Sequence, residues 1–434
     1  VTADSTTQQP LARGIIRAPR GATLSCKGWQ QEATLRMLMN SLDPDVAVHP
    51  VESPRHEATL EAIRRVENNE TLFVQDGTPA GISGTQEIAP RVLISKSNPS
   101  SQAASSTWTC IGTQGFIHGA YEMFASAARE HFDGTLAGKL VVSAGMAGAD
   151  GAFPLAAKLN GGAFLGIDAE PERIKRCVKA GYCDVMVSDL DESLRILKNA
   201  VRKREPASVG LIGNCADLIS TLDERGIVPD LLAYRTSALL PGALELQKLG
   251  AVMLEYGNGI RALGEGRTPL CWVALSGESS DIYRIDRLLL ELFPEDEMLA
   301  RWIALARKHL RFQGLPARVC WLSYGDAAKF GLALNEIVGR GEVKAPIVIA
   351  RERLDSTLVA MSDGPMLATN LRATYGASWV SIEGGTYTGQ PRQIGLAVVA
   401  DGTSEMAARI EQVLSHTPGT VPAQDLGPRL SRND

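Results

Sequence analysis

From Lys139 onward the apolar and polar positions of the chain fall into alternating blocks. A run from Leu140 to Ala144 leads into a glycine-rich turn, a helical stretch containing Ala156 and Ala157 follows, and a second run from Ala163 to Ile167 ends in Asp168. Short apolar runs separated by a helix-length stretch predict a β-α-β unit. The alternation continues through Val209–Ile212, a helix from about Cys215, Leu231–Leu232, another helix and Val252–Leu254. Strands that alternate with helices predict a doubly wound parallel sheet with right-handed crossovers. A second alternating block runs from Cys271 to about Ser415, with strands near Trp272–Leu275, Val319–Leu322, Ile347–Ala350, Trp379–Ile382 and Leu396–Ala400. Amphipathic helices are predicted over Glu297–Leu310 and Ala327–Val338. The class is therefore α/β. The simplest division is a doubly wound domain over 120–265, inserted between an N-terminal segment (13–119) and a C-terminal part (266–415) of a second α/β domain. Residues 1–12 and 416–434 lack periodic apolar positions and read as loose tails.

Composition narrows the partners. With 434 residues, 44% hydrophobic and 21% charged, the chain can bury substantial cores in two or three domains. A net charge of −5 without a Lys/Arg block lacks the electrostatic footprint of a nucleic-acid or anionic-membrane binder. No apolar stretch of about 18 residues suggests a membrane span. Small molecules are the expected partners. The seven cysteines are scattered and never form CxxC pairs, which points to a reducing, cytoplasmic compartment. The histidines show no metal-ligand spacing, and no nucleophile elbow or Walker loop occurs.

Candidate chemistry begins at the turn after the 140–144 run. It reads Ser-Ala-Gly-Met-Ala-Gly-Ala-Asp-Gly and sets Gly145, Gly148 and Gly151 at three-residue intervals before a helix. Such glycines let the backbone approach a pyrophosphate at a helix N-terminus. The spacing is not GxGxxG, and a tight turn capped by Asp150 would read the same way. Asp168, about 20 residues on, suits a carboxylate that accepts the ribose hydroxyls of NAD and repels the extra phosphate of NADP. It could equally cap the helix that starts near Pro171. Arg173 could pair with Asp168 or meet a phosphate. Cys320, inside an apolar strand, reads from its surroundings as a small core residue.

Longer strings carry a resemblance. Cys26-Lys-Gly-Trp-Gln-Gln-Glu-Ala, Ile111-Gly-Thr-Gln-Gly, Trp272-Val-Ala-Leu-Ser-Gly, Leu292-Phe-Pro-Glu-Asp-Glu, Phe312-Gln-Gly-Leu-Pro-Ala-Arg and Lys344-Ala-Pro-Ile-Val-Ile are similar to urocanase (urocanate hydratase), in order, from about residue 13 to about 410. The resemblance implies a homodimer whose Rossmann-like domain holds NAD+ tightly, uses it as an electrophile and returns it unchanged while water adds to a conjugated substrate. It assigns the cofactor to Gln102, Gly145, Gly148, Ala149, Asp150, Asp168, Arg173, Asn214, Cys215, Arg235, Thr236, Ser237, Ala238, Tyr256 and Gly385. The active-site cysteine of the family falls on Cys320.

The departures lie on the substrate side. The family's Tyr-Gly-Gly-x-Gly-Lys stretch is absent where residues 50–58 run, and a helical insertion is replaced by Leu240-Pro-Gly-Ala-Leu. Cys271 stands where an arginine would clamp a carboxylate. A His-His-Gly-Gly-Gly turn has become Glu383-Gly384-Gly385-Thr386, and the run ending Gln-Thr-Ser-Ala-His has become Arg235-Thr236-Ser237-Ala238-Leu239. Cys320, Tyr256, Arg235 and Glu383 are thus the catalytic candidates. The implied function is an NAD+-dependent hydro-lyase acting on a conjugated, imidazole-type or related small molecule other than urocanate. A redox or group-transfer enzyme on the same fold, or an inactive relative, stays open.

Overall fold

The computed structural model describes residues 16–46, 54–85, 89–96, 108, 114–146, 151–234, 242–255, 267–323, 325–355, 374–385 and 390–415. Two sheets organise them. The first has six parallel strands: β4 (Leu140–Ala144), β5 (Ala163–Asp168), β6 (Val185–Val187), β7 (Ala207–Ile212), β8 (Leu231–Tyr234) and β9 (Val252–Glu255), in the order β6-β7-β5-β4-β8-β9. Its strands are short apolar runs because helices cover both faces. Between them lie α4 (Ala152–Leu159), α5 (Pro171–Lys179), α6 (Leu190–Lys203), α7 (Cys215–Glu224) and α8 (Ala243–Lys248). Leu194, Leu197, Ile219, Leu222 and Leu246 from three of these helices bury against Val142, Leu165, Val209 and Leu232. From β4 the chain runs to β5, on to the edge strand β6 and back to β7 between them, then crosses to β8 on the other side of β4. That reversal at β4 opens a crevice along the C-terminal ends of the central strands, the place where ligands bind in open α/β sheets.

The second sheet draws on both ends of the chain. Its order is β11-β10-β12-β14-β13-β3-β1-β2, with β1 (Glu70–Gln75), β2 (Thr78–Gly84) and β3 (Val92–Lys96) early in the sequence, and β10 (Arg267–Ala274), β11 (Ala317–Ser323), β12 (Ile347–Asp355), β13 (Trp379–Gly385) and β14 (Gln390–Ala400) late. The late strands pair antiparallel, whereas β3 joins β13 and β1 in parallel. The doubly wound domain is therefore an insertion in this sheet's domain. The helices of this domain are α1 (Trp29–Leu42), α2 (Pro54–Arg65), α3 (Gln114–His131), α9 (Ser279–Leu292), α10 (Glu297–His309), α11 (Asp326–Gly339) and α12 (Ser404–Ser415). Phe124 of α3 meets Phe153 of α4 edge to face at 5.4 Å, so α3 ties the two domains together. Among the described residues no helix is long and apolar enough to cross a membrane.

The tails and the segments 47–53, 97–107 and 356–373 lie outside the described residues. Helix α1 is buried on nearly all sides, which forces its polar groups to pair internally. Glu32 accepts from Arg36 Nε at 2.7 Å and from Ser25 N, Ser25 Oγ and Cys26 N at 2.7, 2.7 and 3.0 Å. Arg36 donates on to the carbonyls of Gly21, Thr23 and Leu275. The pair thus pins the entering loop to β10. Burial pushes the Glu32 carboxyl up, but the donors from Ser25 and Arg36 outweigh it and hold the pKa below the usual 4.5. A depressed folded-state pKa contributes stability that is complete above the unfolded value and lost as pH falls through the folded one. The resistance of the wild type to urea should therefore fall as pH drops below about 4.3. In E32Q that component should be absent, and an identical pH dependence in both proteins would contradict the assignment.

Candidate functional site

Three strand ends converge on the crevice. β4 is followed by Gly145 at φ 104°, and the turn closes at Gly151, φ 69°, which occupies the N-cap of α4. The N-cap position is held by Gly151, which has no side chain to cap with, and Asp150 lies outside the described residues. Both glycines stand in the left-handed region that side chains avoid. A Cβ on Gly151 would also lie 2.1 Å from Cys177 Sγ. G151A is expected to destabilise the domain by about 1–3 kcal/mol, seen as an earlier thermal transition. A wild-type-like melting profile would show that this turn tolerates a side chain.

β5 ends in Asp168, whose side chain is 5% exposed. Its Oδ1 accepts from Glu170 N and its Oδ2 from Arg173 Nη1, both at 2.9 Å. The N-cap of α5 is Glu170, so Asp168 does not cap that helix. Of the two roles open to Arg173, the structure shows the pairing with Asp168, and its other terminal nitrogen meets Glu170 at 2.9 Å. β7 leads through Gly213 into Asn214, which caps α7 by accepting from Ala216 N at 2.8 Å and Asp217 N at 3.4 Å. The Cys215 thiol donates to Ile167 O at 3.1 Å. Burial pushes that thiol up and the Asp168 charge pushes it further, against the backbone of Gly145. Gly145, Asp168 and Cys215 therefore sit within electrostatic reach of one another.

Gln102, Gly148, Ala149, Asp150, Arg235, Thr236, Ser237, Ala238 and Tyr256 lie outside the described residues. Glu383 and Gly385 are placed by their backbone in β13, opposite Gln393 and Gln390 of β14.

Cys320 sits in β11, paired with Leu270, and is fully buried. Burial pushes its thiol well above the ordinary range, against the Arg318 guanidinium, so at neutral pH it is an uncharged thiol. Cys271 pairs with Val319 on one side and Ala350 on the other. Because side chains alternate along a strand, Cys271 and Cys320 project from opposite faces of the sheet. An open groove of about 640 Å³ flanks the end of β11, lined by Arg267, Asp296, Met298, Ser323 and Asp326 among others. It holds no residue of the crevice.

Comparison with protein families accounts for all three segments of this arrangement. Residues 16–118 match the urocanase N-terminal domain, 112–243 the urocanase Rossmann-like domain and 262–421 the urocanase C-terminal domain. The chain belongs to the urocanase family. Membership implies hydro-lyase chemistry of the urocanase type in general, carried on an α/β fold whose Rossmann-like domain is of a kind that binds NAD.

The apolar and polar pattern along the chain does not mark which polar groups end up buried. Gln114 and His118 lie one helical turn apart on α3, both buried, and Glu122 follows one turn later, 3.4 Å from His118 Nε2. Burial pushes the His118 imidazole down, so it is neutral. Arg351 was equally hidden. It follows the apolar run Ile347–Ala350, and nothing in that pattern distinguishes an arginine leaving a core from one that stays inside.

Proposed function

We propose that this protein is a urocanase-type hydro-lyase that holds NAD+ as a resident cofactor and acts on a conjugated small molecule other than urocanate. The observation that carries the reading is the grouping of Asp168, Gly145 and Cys215 at the ends of β5, β4 and β7. A buried carboxylate there can accept ribose hydroxyls, and two left-handed glycines leave the backbone bare for a pyrophosphate. The residues thus fit the cofactor. When bound, oxidised nicotinamide would supply a cationic electron sink.

In this reading Arg173 fixes the orientation of Asp168, and Asn214 keeps the start of α7 turned toward the crevice. Gln102, Gly148, Ala149, Asp150, Arg235, Thr236, Ser237, Ala238, Tyr256 and Gly385 complete the cradle. Cys320, Tyr256, Arg235 and Glu383 are the proposed catalytic groups, with Cys320 holding its proton on Sγ rather than acting as a thiolate. A second copy of the chain would complete a homodimer.

The substrate departs from urocanate because buried Cys271 offers no charge where the family resemblance places a carboxylate clamp. Losing a guanidinium partner of a desolvated carboxylate costs about 2–5 kcal/mol. Two measurements test the reading. Mass spectrometry of the intact protein should show NAD retained, or calorimetry should show it bound. Urocanate should keep its ultraviolet absorbance in the presence of the holoenzyme. No NAD binding removes the cofactor reading, whereas rapid loss of absorbance removes only the departure from urocanate.

A further inference from the structure

Arg351 is 2% exposed, and among the described residues neither Nε, Nη1 nor Nη2 has a hydrogen-bond partner. Burial alone pushes its pKa down to about 9, so the guanidinium is still charged at neutral pH. A charge in that position is costly unless something neutralises it.

Its place in the sheet narrows what that something is. Cys271 pairs with both Val319 and Ala350, so the next residues, Cys320 on β11 and Arg351 on β12, project together from the opposite face. They stand two strand spacings apart, about 10 Å. Trp272, paired with Arg318 and Ile349, shares that face in the neighbouring row. Among the described residues, Trp272 Nε1 and Arg318 Nη1 are also buried without a partner. Arg318 itself is neutralised by Asp286, at 3.0 and 2.8 Å, which leaves Arg351 as the uncompensated charge. Indole and guanidinium nitrogens can only donate, so what this face lacks is an acceptor. Immediately after Arg351 the β12–β14 register shifts, and such bulges re-aim side chains beside binding sites.

We propose that Arg351 anchors a subsite for the carboxylate of a small ligand, on the face of the second sheet that also carries Cys320. A planar carboxylate matches the two-pronged guanidinium, whereas a spherical anion does not. The subsite stands independently of the cofactor reading, since no residue of the crevice takes part in it.

Thermal unfolding of the full-length protein in sodium acetate or sodium crotonate, against sodium chloride at equal ionic strength, tests it. The wild type should gain about 3 °C at saturating carboxylate. R351M should gain nothing, and should melt above the ligand-free wild type because a lone charge has left the core. Equal shifts in both proteins, or an R351M that melts lower, would overturn the proposal. A crystal of the wild type grown with 5-bromo-2-furoate, whose ring-bound bromine is inert to the free cysteines, gives a second readout that needs no variant. Bromine anomalous density beside the guanidinium supports the subsite, and its absence at saturating ligand refutes it. NAD binding is expected to be the same in R351M as in the wild type, so failure here and failure of the cofactor reading are told apart.

Discussion

Replacing Asp168 by alanine is expected to weaken NAD binding at least about 100-fold. Removing one partner of a buried, charge-assisted contact costs about 2–5 kcal/mol, and about 2.7 kcal/mol corresponds to two decades in affinity. The carboxylate is well placed for such a loss. It is buried at the end of β5, oriented by Glu170 N and by Arg173, so its geometry is set before any ligand arrives. D168N separates charge from shape, because the amide oxygen can still accept from Glu170 N while repulsion of a 2′-phosphate is lost. The wild type should prefer NAD to NADP, and D168N should bind the two with more nearly equal affinity. Calorimetry on the three proteins checks this. An unchanged NAD affinity in D168A would remove Asp168 from the cradle.

The parts of the molecule legible in the sequence are those written as periodicity. The run Leu140–Ala144, the run from Ala163 that ends in Asp168 and the helix beginning at Cys215 appear with the predicted bounds. Parallel strands buried on both faces show as continuous apolar runs, so little tertiary information is needed to find them. The short β6 and the helix α6 after it were not singled out. Val185-Met186-Val187 is too brief a run to stand out, although Asp189 caps α6 with an acceptor for Glu192 N at 2.8 Å.

The early hairpin was missed despite a local signal. Asp76 and Gly77 adopt φ 49° and 80° between Gln75 and Thr78, a two-residue turn of the type Asp-Gly favours. The antiparallel pairing of the second sheet had no signal of its own. Alternating strands and helices in sequence are compatible with either direction, and only tertiary contacts bring β3 beside β13. At the site, Asp168 and the glycines were readable because they serve the backbone locally. The apolar strand around Cys320 likewise marks it as a core residue, which its burial matches, whereas the unpartnered guanidinium of Arg351 depends on what lies across the sheet and has no such signal.

Cutting the Arg318–Asp286 pair should produce the largest loss of stability in the second domain. Both side chains are fully buried, and the guanidinium meets the carboxylate through two bonds, Nε to Oδ1 at 3.0 Å and Nη2 to Oδ2 at 2.8 Å. The contact links β11 to α9, with Phe312 beneath the guanidinium at 5.5 Å. D286A leaves the Arg318 guanidinium without its carboxylate beside Phe312 and Trp272, and removing one member of a buried pair costs about 3–5 kcal/mol. A fall of about 5–10 °C in the transition of this domain follows. The double variant D286L/R318M removes both charges and fills the space with apolar atoms, so it should melt well above D286A. If the double variant melts as low as the single one, the loss comes from packing of the aspartate's position and not from an exposed imbalance of charge. The intact doubly wound domain provides the internal reference, because Asp286 lies outside it and NAD affinity should stay at the wild-type value.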